Sequence, residues 1–451
     1  MGGSSIRAGI FAGTLFGYGT GIIAGALIPL TNQYGFDPLS AGLITATALL
    51  GALLGALFAG PVADRVGRLN ALSIGAVLFG IGSVLSAITL FGIMPLLITG
   101  RLIVGLGIGF VSAVAPMYLS EVAPAARRGL GVGLYQSLVA SSMVVAYLVG
   151  FALQGSENGW RVMFALGLVL ALGQLLCNRA GLESPVYLRA QGELEHAEGN
   201  TRALGLELES ISAGQASRPW SAFLHRPGRH FLILAATLAG AQILTGINVL
   251  LYYAPTMFIN AGITDSSGAF VAVIIIGVVN AIGTFIGLAV IERFNRRTLL
   301  VVGAAGMTLS MAGVALIAAF GAATSLATVM VGLLMAFVLF FEISIGPVAW
   351  LMISELMPAE LRGKGVSFAV MVNWALNTAL TLGALSLISG LGLGVTFAIF
   401  ATFNLALLAF AVFALPETRG RRLDDVHAEL GWVSGPEAMA EAQSRGGQPR
   451  Q

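Results

Sequence analysis

A ten-residue stretch that occurs twice decides the fold of this chain. Residues 120–129 read SEVAPAARRG and residues 354–363 read SELMPAELRG, an offset of 234 residues. Residues 64–68 (DRVGR) recur in a similar form at residues 292–296 (ERFNR), an offset of 228 residues. Two motifs in the same order at similar offsets are hard to reach by chance, and they indicate a chain built from two related halves.

The composition predicts that lipid is the solvent of this chain. Of the 451 residues, 57% are hydrophobic and 10% are charged, and the mean hydropathy is +0.90. A soluble domain carries about 25% charged residues, so this chain cannot cover itself with a polar surface, and we expect a lipid bilayer around it. The net charge of +2 is divided among short clusters between apolar runs, so it does not indicate nucleic-acid binding, and we expect no nucleic-acid partner.

The apolar runs predict twelve membrane-spanning helices, because each span needs roughly 20 residues. We place them at residues 6–30, 40–63, 71–92, 96–119, 130–153, 160–179, 230–259, 268–291, 298–320, 325–354, 365–389 and 393–415. The uncharged run 365–416 holds 52 residues and is therefore predicted to be two helices, broken near residues 389–392. Gly346 and Pro347 predict a further break within the tenth span.

This all-α architecture divides into four predicted parts. Six-helix bundles occupy residues 1–179 and 230–415, and each contains one copy of both repeated motifs. A cytoplasmic linker with short helices is predicted at residues 180–229, and a cytoplasmic tail at residues 416–451. All Lys and Arg residues except Arg101 and Arg161 fall on the side of both termini, which the positive-inside rule assigns to the cytoplasm. We expect a multi-pass protein of the plasma membrane, or of the inner membrane in a bacterium.

Several further motifs give the chain a family resemblance. They are residues 16–18 (FGY), 60–68, Arg101 with Gly105, Gly107 and Gly109, 116–129, 183–185 (ESP), 245–248 (TGIN), 252–255 (YYAP), 346–347 (GP) with Trp350, and 416–418 (PET). The chain resembles the sugar porters of the major facilitator superfamily, which include bacterial sugar–proton symporters and facilitative glucose transporters. The resemblance implies the twelve-helix major facilitator fold and secondary transport of a monosaccharide by alternating access, and we expect a monomer to be functional.

The resemblance also implies a sugar site. The matching positions are Phe16, Gln136, Gln242, Asn248, Tyr252, Asn280, Phe341, Trp350 and Asn373. Amides suit this ligand, because each sugar hydroxyl both donates and accepts a hydrogen bond, and amides inside a membrane are costly unless they are paired. The alternative is that these amides pair across helices as structural contacts. Ile243 departs from the family, which commonly has a second Gln there.

Charged residues near the predicted cytoplasmic ends form a candidate gate. They are Asp64, Arg65, Arg68, Glu121 and Arg128 in the first half, and Glu292, Arg293, Arg296, Arg297, Glu355 and Arg362 in the second. In the family, similar residues form salt bridges that close the inner gate, so Glu121 and Glu355 are predicted to meet the arginine loops as a two-state latch. The alternative is that the arginines only set the topology.

Energy coupling is where the chain departs most from its proton-coupled relatives. Those symporters carry an aspartate directly after the FGY segment, whereas this chain has Gly19. Glu342 is the only other acid predicted deep in the membrane, and the facilitative glucose transporters also have a Glu there. We therefore favour proton-independent uniport. A proton-coupled symporter, with Glu342 as the proton carrier, is the alternative.

Other function classes are disfavoured. A sugar sensor of the same fold would need a signalling extension, and a drug–proton antiporter does not explain the amides of the seventh span. The four histidines lack metal-ligand spacing, and the chain contains neither a P-loop nor a paired nucleophile and base. We therefore expect no enzymatic activity and no cofactor or metal.

Overall fold

The computed structural model describes residues 2–88, 93–124, 128–206, 220–223, 225, 228–260, 266–321, 325–358, 360–421 and 423–432. These residues form sixteen α-helices and one short 3-10 turn at Trp220–Phe223. The helices are α1 (Gly2–Tyr34), α2 (Pro38–Val66), α3 (Arg68–Ala87), α4 (Ile93–Val122), α5 (Arg128–Leu153), α6 (Gly159–Arg179), α7 (Pro185–Ala190), α8 (Leu194–Leu204), α9 (Gly228–Leu244), α10 (Ile247–Asn260), α11 (Ser266–Ile291), α12 (Arg296–Ala319), α13 (Ala327–Glu342), α14 (Ile345–Leu356), α15 (Arg362–Phe413) and α16 (Leu423–Glu429).

The span count agrees with the sequence prediction. Eleven described helical segments are long and apolar enough to cross a membrane. One of them, the 52-residue α15, is divided by Gly392, whose φ of 80° is not helical. Gly392 lies within the break predicted at residues 389–392, and the two parts of α15 bring the number of spans to twelve.

Two other spans are interrupted. The seventh consists of α9 and α10, which are separated at Gly246, where φ is 93°. The tenth consists of α13 and α14, and its interruption at Ile343 and Ser344 begins four residues before Pro347. The break predicted at Gly346–Pro347 is therefore misplaced by one turn, because a proline is tolerated in the first turn of a helix, where its missing N–H has no intrahelical acceptor.

Small residues bring the helices of the first half close together. A Cβ atom added to Gly105 of α4 would overlap the carbonyl oxygen of Ala48 in α2. In membranes, where apolar burial gives no driving force between helices, such backbone approach supplies the packing energy. Gly105 thus allows the backbones of α2 and α4 to approach closely.

Among the described residues, most of the contact between the two halves is made by three helix pairs, which are α1 with α10, α2 with α15, and α5 with α11. We call the end of the bundle that carries Arg68 and Arg296 the basic end. Toward the other end, the Tyr147 hydroxyl donates to the Leu251 carbonyl (2.9 Å) and the Tyr253 hydroxyl donates to the Thr381 carbonyl (3.0 Å). The Tyr147 bond joins the two halves at the end opposite the basic end, whereas the Tyr253 bond joins α10 to α15 within the second half.

A repeated contact at the basic end reflects the internal duplication. The Glu183 carboxylate accepts from the backbone N–H groups of Arg68 (2.9 Å) and Leu69 (3.1 Å) at the start of α3. Glu417, which lies 234 residues later, accepts in the same way from Arg296 (3.1 Å) and Arg297 (3.0 Å) at the start of α12. Each carboxylate satisfies N–H groups that have no partner within the helix. Burial raises the pKa of the Glu183 carboxyl, although its backbone hydrogen bonds oppose that shift.

Candidate substrate site

The first polar cluster of the second half joins α9, α14 and α15. The Gln242 side chain donates to the Gly346 carbonyl (3.0 Å) and accepts from the Asn373 amide (2.9 Å). Asn373 also donates to the Ala239 carbonyl at 3.1 Å. An amide has two N–H groups and two lone pairs, so Gln242 keeps one donor and one acceptor position for a further partner. The structure brings together these two predicted residues, and it also shows the cross-helix pairing of the structural alternative.

The second cluster surrounds the buried carboxylate of Glu342 at the end of α13. It accepts from the Asn280 amide at 2.7 Å and from the Thr284 hydroxyl at 3.0 Å. None of the ion pairs among the described residues involves Glu342. Thr284 was not predicted, although its place one helical turn after Asn280 in α11 is a usable signal. The acid is thus held by neutral groups only.

Two predicted amides remain open. Asn248 is half-buried, Gln136 is exposed, and neither has a hydrogen-bond partner among the described residues. On the helical wheel of α5, Gln136 lies between Val139, which packs on α1, and Val144, which packs on α11. It therefore points away from the outward-facing Val145 and toward the space between the halves.

The aromatic side chains come from both halves. Phe16 of α1 lies 5.8 Å from Trp374 of α15, measured between ring centroids. Phe341 is buried beside Gly346, and Trp350 is half-buried one turn further along α14. Sequence reasoning missed Trp374, although a tryptophan that directly follows a membrane-buried asparagine was a signal. The pair of Phe16 and Trp374 closes the space between the halves.

The position of the missing aspartate faces a buried arginine. The two terminal nitrogens of Arg101 in α4 lie 3.5 and 3.4 Å from the carbonyl oxygen of Gly19. The guanidinium also lies 5.7 Å from the centroid of the Phe164 ring, and electrostatic contact links it to Tyr252. The Tyr252 hydroxyl in turn faces the Asn377 side chain. From the sequence, Arg101 was named only as part of a family motif and as one of two basic residues that do not lie on the side of the termini. Its contact with Gly19 was not predicted.

The candidate gate is assembled separately in each half. Arg68 makes two hydrogen bonds to the Glu121 carboxylate (3.0 and 3.2 Å) and one to Asp64 (3.0 Å). In the second half, Arg296 approaches Glu355 at 3.6 Å. The predicted pairing of each glutamate with an arginine loop is therefore present in the structure.

The other predicted gate residues do not form ion pairs among the described residues. Arg65, Glu292 and Arg293 are exposed. Arg297 donates to the carbonyls of Ala411 and Val412. The Nε atom of Arg362 is buried without a partner in the described part of the chain. The side chain of Arg128 lies outside the described residues.

Two related six-helix halves, with polar side chains of both halves between them, define a transporter of the major facilitator class. Comparison with known proteins gives the family. A profile described as "Sugar (and other) transporter" matches residues 8–430. The D-xylose transporter of Levilactobacillus brevis is 34% identical over 95% of this chain and 96% of its own. The arabinose-proton symporter of Bacillus subtilis is 32% identical over 95% of this chain and 94% of its own.

Solved structures agree with this result. The inward-open conformation of the xylose transporter XylE from E. coli superposes with a TM-score of 0.83 at 27% identity, covering 95% of this chain and 100% of that one. The chain belongs to the sugar transporter family of the major facilitator superfamily, as its motifs predicted. It is a multi-pass membrane transporter of sugars and not an enzyme.

Proposed function

We propose that this protein carries a monosaccharide, a hexose or a pentose, across the plasma membrane by facilitated uniport. The observation that carries the proposal is Gly19. Position 19 has no side chain that takes up a proton, and the Arg101 guanidinium reaches only its backbone carbonyl. A relative bears the name of an arabinose-proton symporter, and the absence of an acidic side chain next to Arg101 at position 19 supports a different mode of transport for this chain.

The basic end faces the cytoplasm in this proposal. The arginine-rich loops and the positive-inside rule support that orientation. The hydrogen bond from Tyr147 to Leu251 then joins the halves on the extracellular side. The high TM-score with an inward-open structure supports a state that is closed to the outside.

The sugar is recognised both by amides that already have hydrogen-bond partners in the protein and by amides that have none among the described residues. Asn248 and Gln136 offer whole amide groups, while Gln242 and Asn280 offer their remaining donor and acceptor positions. Ile243 is 2% exposed and apolar, so it cannot replace the second family Gln. We therefore expect one sugar hydroxyl to have one partner fewer than in relatives with a Gln there.

The two charge clusters act as the latch of the alternating-access cycle. Glu121 with Arg68 and Glu355 with Arg296 are partly buried, so their ion pairs are screened less than surface pairs. They stabilise the basic end of each half, which is where the halves would meet when the cytoplasmic side closes. The topological role of the arginines is compatible with this latch.

Proton-coupled symport is the second candidate, and Glu342 is the observation that favours it. A carboxylate in a membrane helix that has no basic partner is a functional candidate by default. Glu342→Gln is a near-isosteric test, because the Gln oxygen can accept from Asn280 while its N–H group donates to Thr284. The variant thus removes the proton site and keeps the hydrogen-bonded geometry.

The experiment is uptake into proteoliposomes with and without an imposed inward proton gradient, using D-xylose, D-glucose, D-galactose and L-arabinose. Uniport predicts equilibration to the external concentration with no gradient dependence, and the same result for Glu342→Gln. Sugar accumulation above the external concentration that disappears in Glu342→Gln would replace uniport with symport through Glu342.

A further inference from the structure

Arg101 is the one buried membrane arginine of the described chain whose charge the established site does not explain. Its side chain lies eight residues, or about 12 Å, beyond the first residue of α4, and the residue is 2% exposed. None of the ion pairs among the described residues involves it. Its Nε atom is buried and has no hydrogen-bond partner in the described part of the chain.

The partners that it does have are weak. A guanidinium offers five N–H donors, and here they share the Gly19 carbonyl at the long distances of 3.4 and 3.5 Å. The Phe164 ring, 5.7 Å away, adds a cation–π contact. A buried charge without a counter-charge is strongly unfavourable, so a negative group would gain binding energy at this position.

Tyr252 of α10 is in electrostatic contact with the guanidinium. Phe79 of α3 and Ile108 of α4 fill the space beside Gly19, because a Cβ atom there would lie 2.6 Å from the Phe79 ring and 2.9 Å from Ile108. Helix α10 belongs to the second half, whereas Arg101 and Gly19 belong to the first. We expect α10 to move away from Arg101 when the halves separate at the end opposite the basic end, which would uncover the guanidinium.

A polar track leads from this position into the substrate site. Tyr252 faces both Arg101 and Asn377, and Asn377 lies one helical turn from Asn373, the partner of Gln242. One end of the track is therefore cationic and the other consists of neutral amides. A sugar acid has the same asymmetry, with a carboxylate at one end and neutral hydroxyls over the rest.

We propose that Arg101 binds a monovalent anionic group on its Tyr252 side, which replaces the side-chain carboxylate that α1 lacks at Gly19. The anionic group is either the carboxylate of a sugar acid carried as substrate or a free halide that binds together with a neutral sugar. The inference rests on the proposed sugar transport. It adds that the site selects a substrate or a co-bound ion by its negative charge.

The test is equilibrium binding to the purified full-length protein in nanodiscs. The first arm compares D-glucuronate with D-glucose, both without halide. The second arm measures D-glucose in chloride and in a buffer whose only anions are bulky organic sulfonates. Preference for glucuronate of at least about tenfold identifies the substrate carboxylate as the source, and a chloride-dependent gain of similar size in D-glucose affinity identifies a free anion.

Four variants assign the effect to Arg101. Arg101→Gln should abolish the gain in affinity that comes from the anion, and Arg101→Lys should keep most of that gain. Gly19→Asp supplies a fixed carboxylate and should also abolish it, whereas Gly19→Ala, which makes the same contact with Phe79 without a charge, should not. Arg161→Gln is the matched control, since Arg161 lies on the same side of the membrane and packs on the Trp160 ring at 4.2 Å.

Two results would overturn the proposal. One is equal affinity for glucuronate and glucose together with no chloride effect in the unmodified protein. The other is an anion effect that survives both Arg101→Gln and Gly19→Asp. If neither neutral nor acidic sugars bind, the proposed transport function fails instead, so the two failures are distinguishable.

Discussion

The pairing of Gln242 with Asn373 separates a sugar-binding role from a purely structural one. The change is Gln242→Ala, which removes the hydrogen bonds to the Gly346 carbonyl and from the Asn373 amide. The Gly346 carbonyl lies in the first turn of α14 and can still accept within the helix, and Asn373 keeps its bond to the Ala239 carbonyl, so the second N–H of Asn373 is the group that loses its partner. Both a stability cost and a binding cost follow from this geometry.

The stability cost and the binding cost of Gln242→Ala can be estimated from the hydrogen bonds of Gln242. An unsatisfied buried donor costs about 1–3 kcal/mol of folding stability. The remaining N–H group and lone pair of Gln242 can each bind a sugar hydroxyl, and a net hydrogen bond is worth about 0.5–1.5 kcal/mol. The two together give about 1–3 kcal/mol of binding free energy, so the dissociation constant should rise roughly 5- to 150-fold.

Gln174 provides the matched control. It is a buried glutamine of α6 that donates to the Ala8 carbonyl (3.0 Å) and to the Asn178 amide oxygen (2.6 Å). Gln174→Ala should therefore lower the thermal unfolding midpoint about as much as Gln242→Ala does. The assay pairs that midpoint with equilibrium binding of a radiolabelled sugar to each purified variant.

The sugar affinities of the two variants decide between a sugar-binding role and a purely structural role for Gln242. Sugar affinity should fall in Gln242→Ala and stay near that of the unmodified protein in Gln174→Ala. If both variants lose stability and neither loses affinity, the amides of α9 and α15 are interhelical contacts, and the site must be assigned to other residues.

Three further outcomes follow from the site. Asn248→Ala should weaken sugar binding by about 1–2 kcal/mol with little loss of stability, because its amide has no protein partner to leave unpaired; an equal loss of both in paired binding and melting measurements would contradict this. Glu342→Gln should leave the initial rate of sugar uptake and its dependence on external pH unchanged under uniport, and flattening of an existing pH profile would instead indicate proton coupling. Glu121→Gln should weaken the ion pair with Arg68 and shift the protein toward inward-open states. Thiol labelling of Gln136→Cys in a Cys177→Ala background should then be faster. Unchanged labelling would mean that the arginines only set the topology.

Much of the fold was predictable because hydropathy and repetition are strong signals in a membrane chain. Every backbone group in a bilayer must be paired within its own segment, so long apolar runs can only be helices. The repeated motifs then fixed the six-plus-six arrangement. The break in the tenth span was misplaced because a proline marks where a helix can begin as well as where one ends.

The polar contacts between helices were less predictable. Asn280 and Glu342 lie 62 residues apart in the chain, and nothing in either local sequence tells that they bond to each other. The same holds for Glu183 at the start of α3, where the ESP segment carried only a family resemblance until the structure placed its carboxylate. Contacts of this kind depend on how the helices pack, and periodicity does not encode helix packing.

The contact between Gly19 and Arg101 connects the question of coupling to the structure. A guanidinium does not lose its proton in a protein, so with only a backbone carbonyl beside it this position keeps one charge at every stage of transport. A proton-driven switch therefore cannot operate in the first half at this point, and Glu342 of the second half is left as the one described acid that is deep enough in a span to carry a proton. The proton-gradient test examines Glu342 and the anion test examines Arg101, which lie in different halves and bond to different residues. A protein that is gradient-independent and anion-selective would thus owe its selectivity to the same missing side chain that removed its coupling.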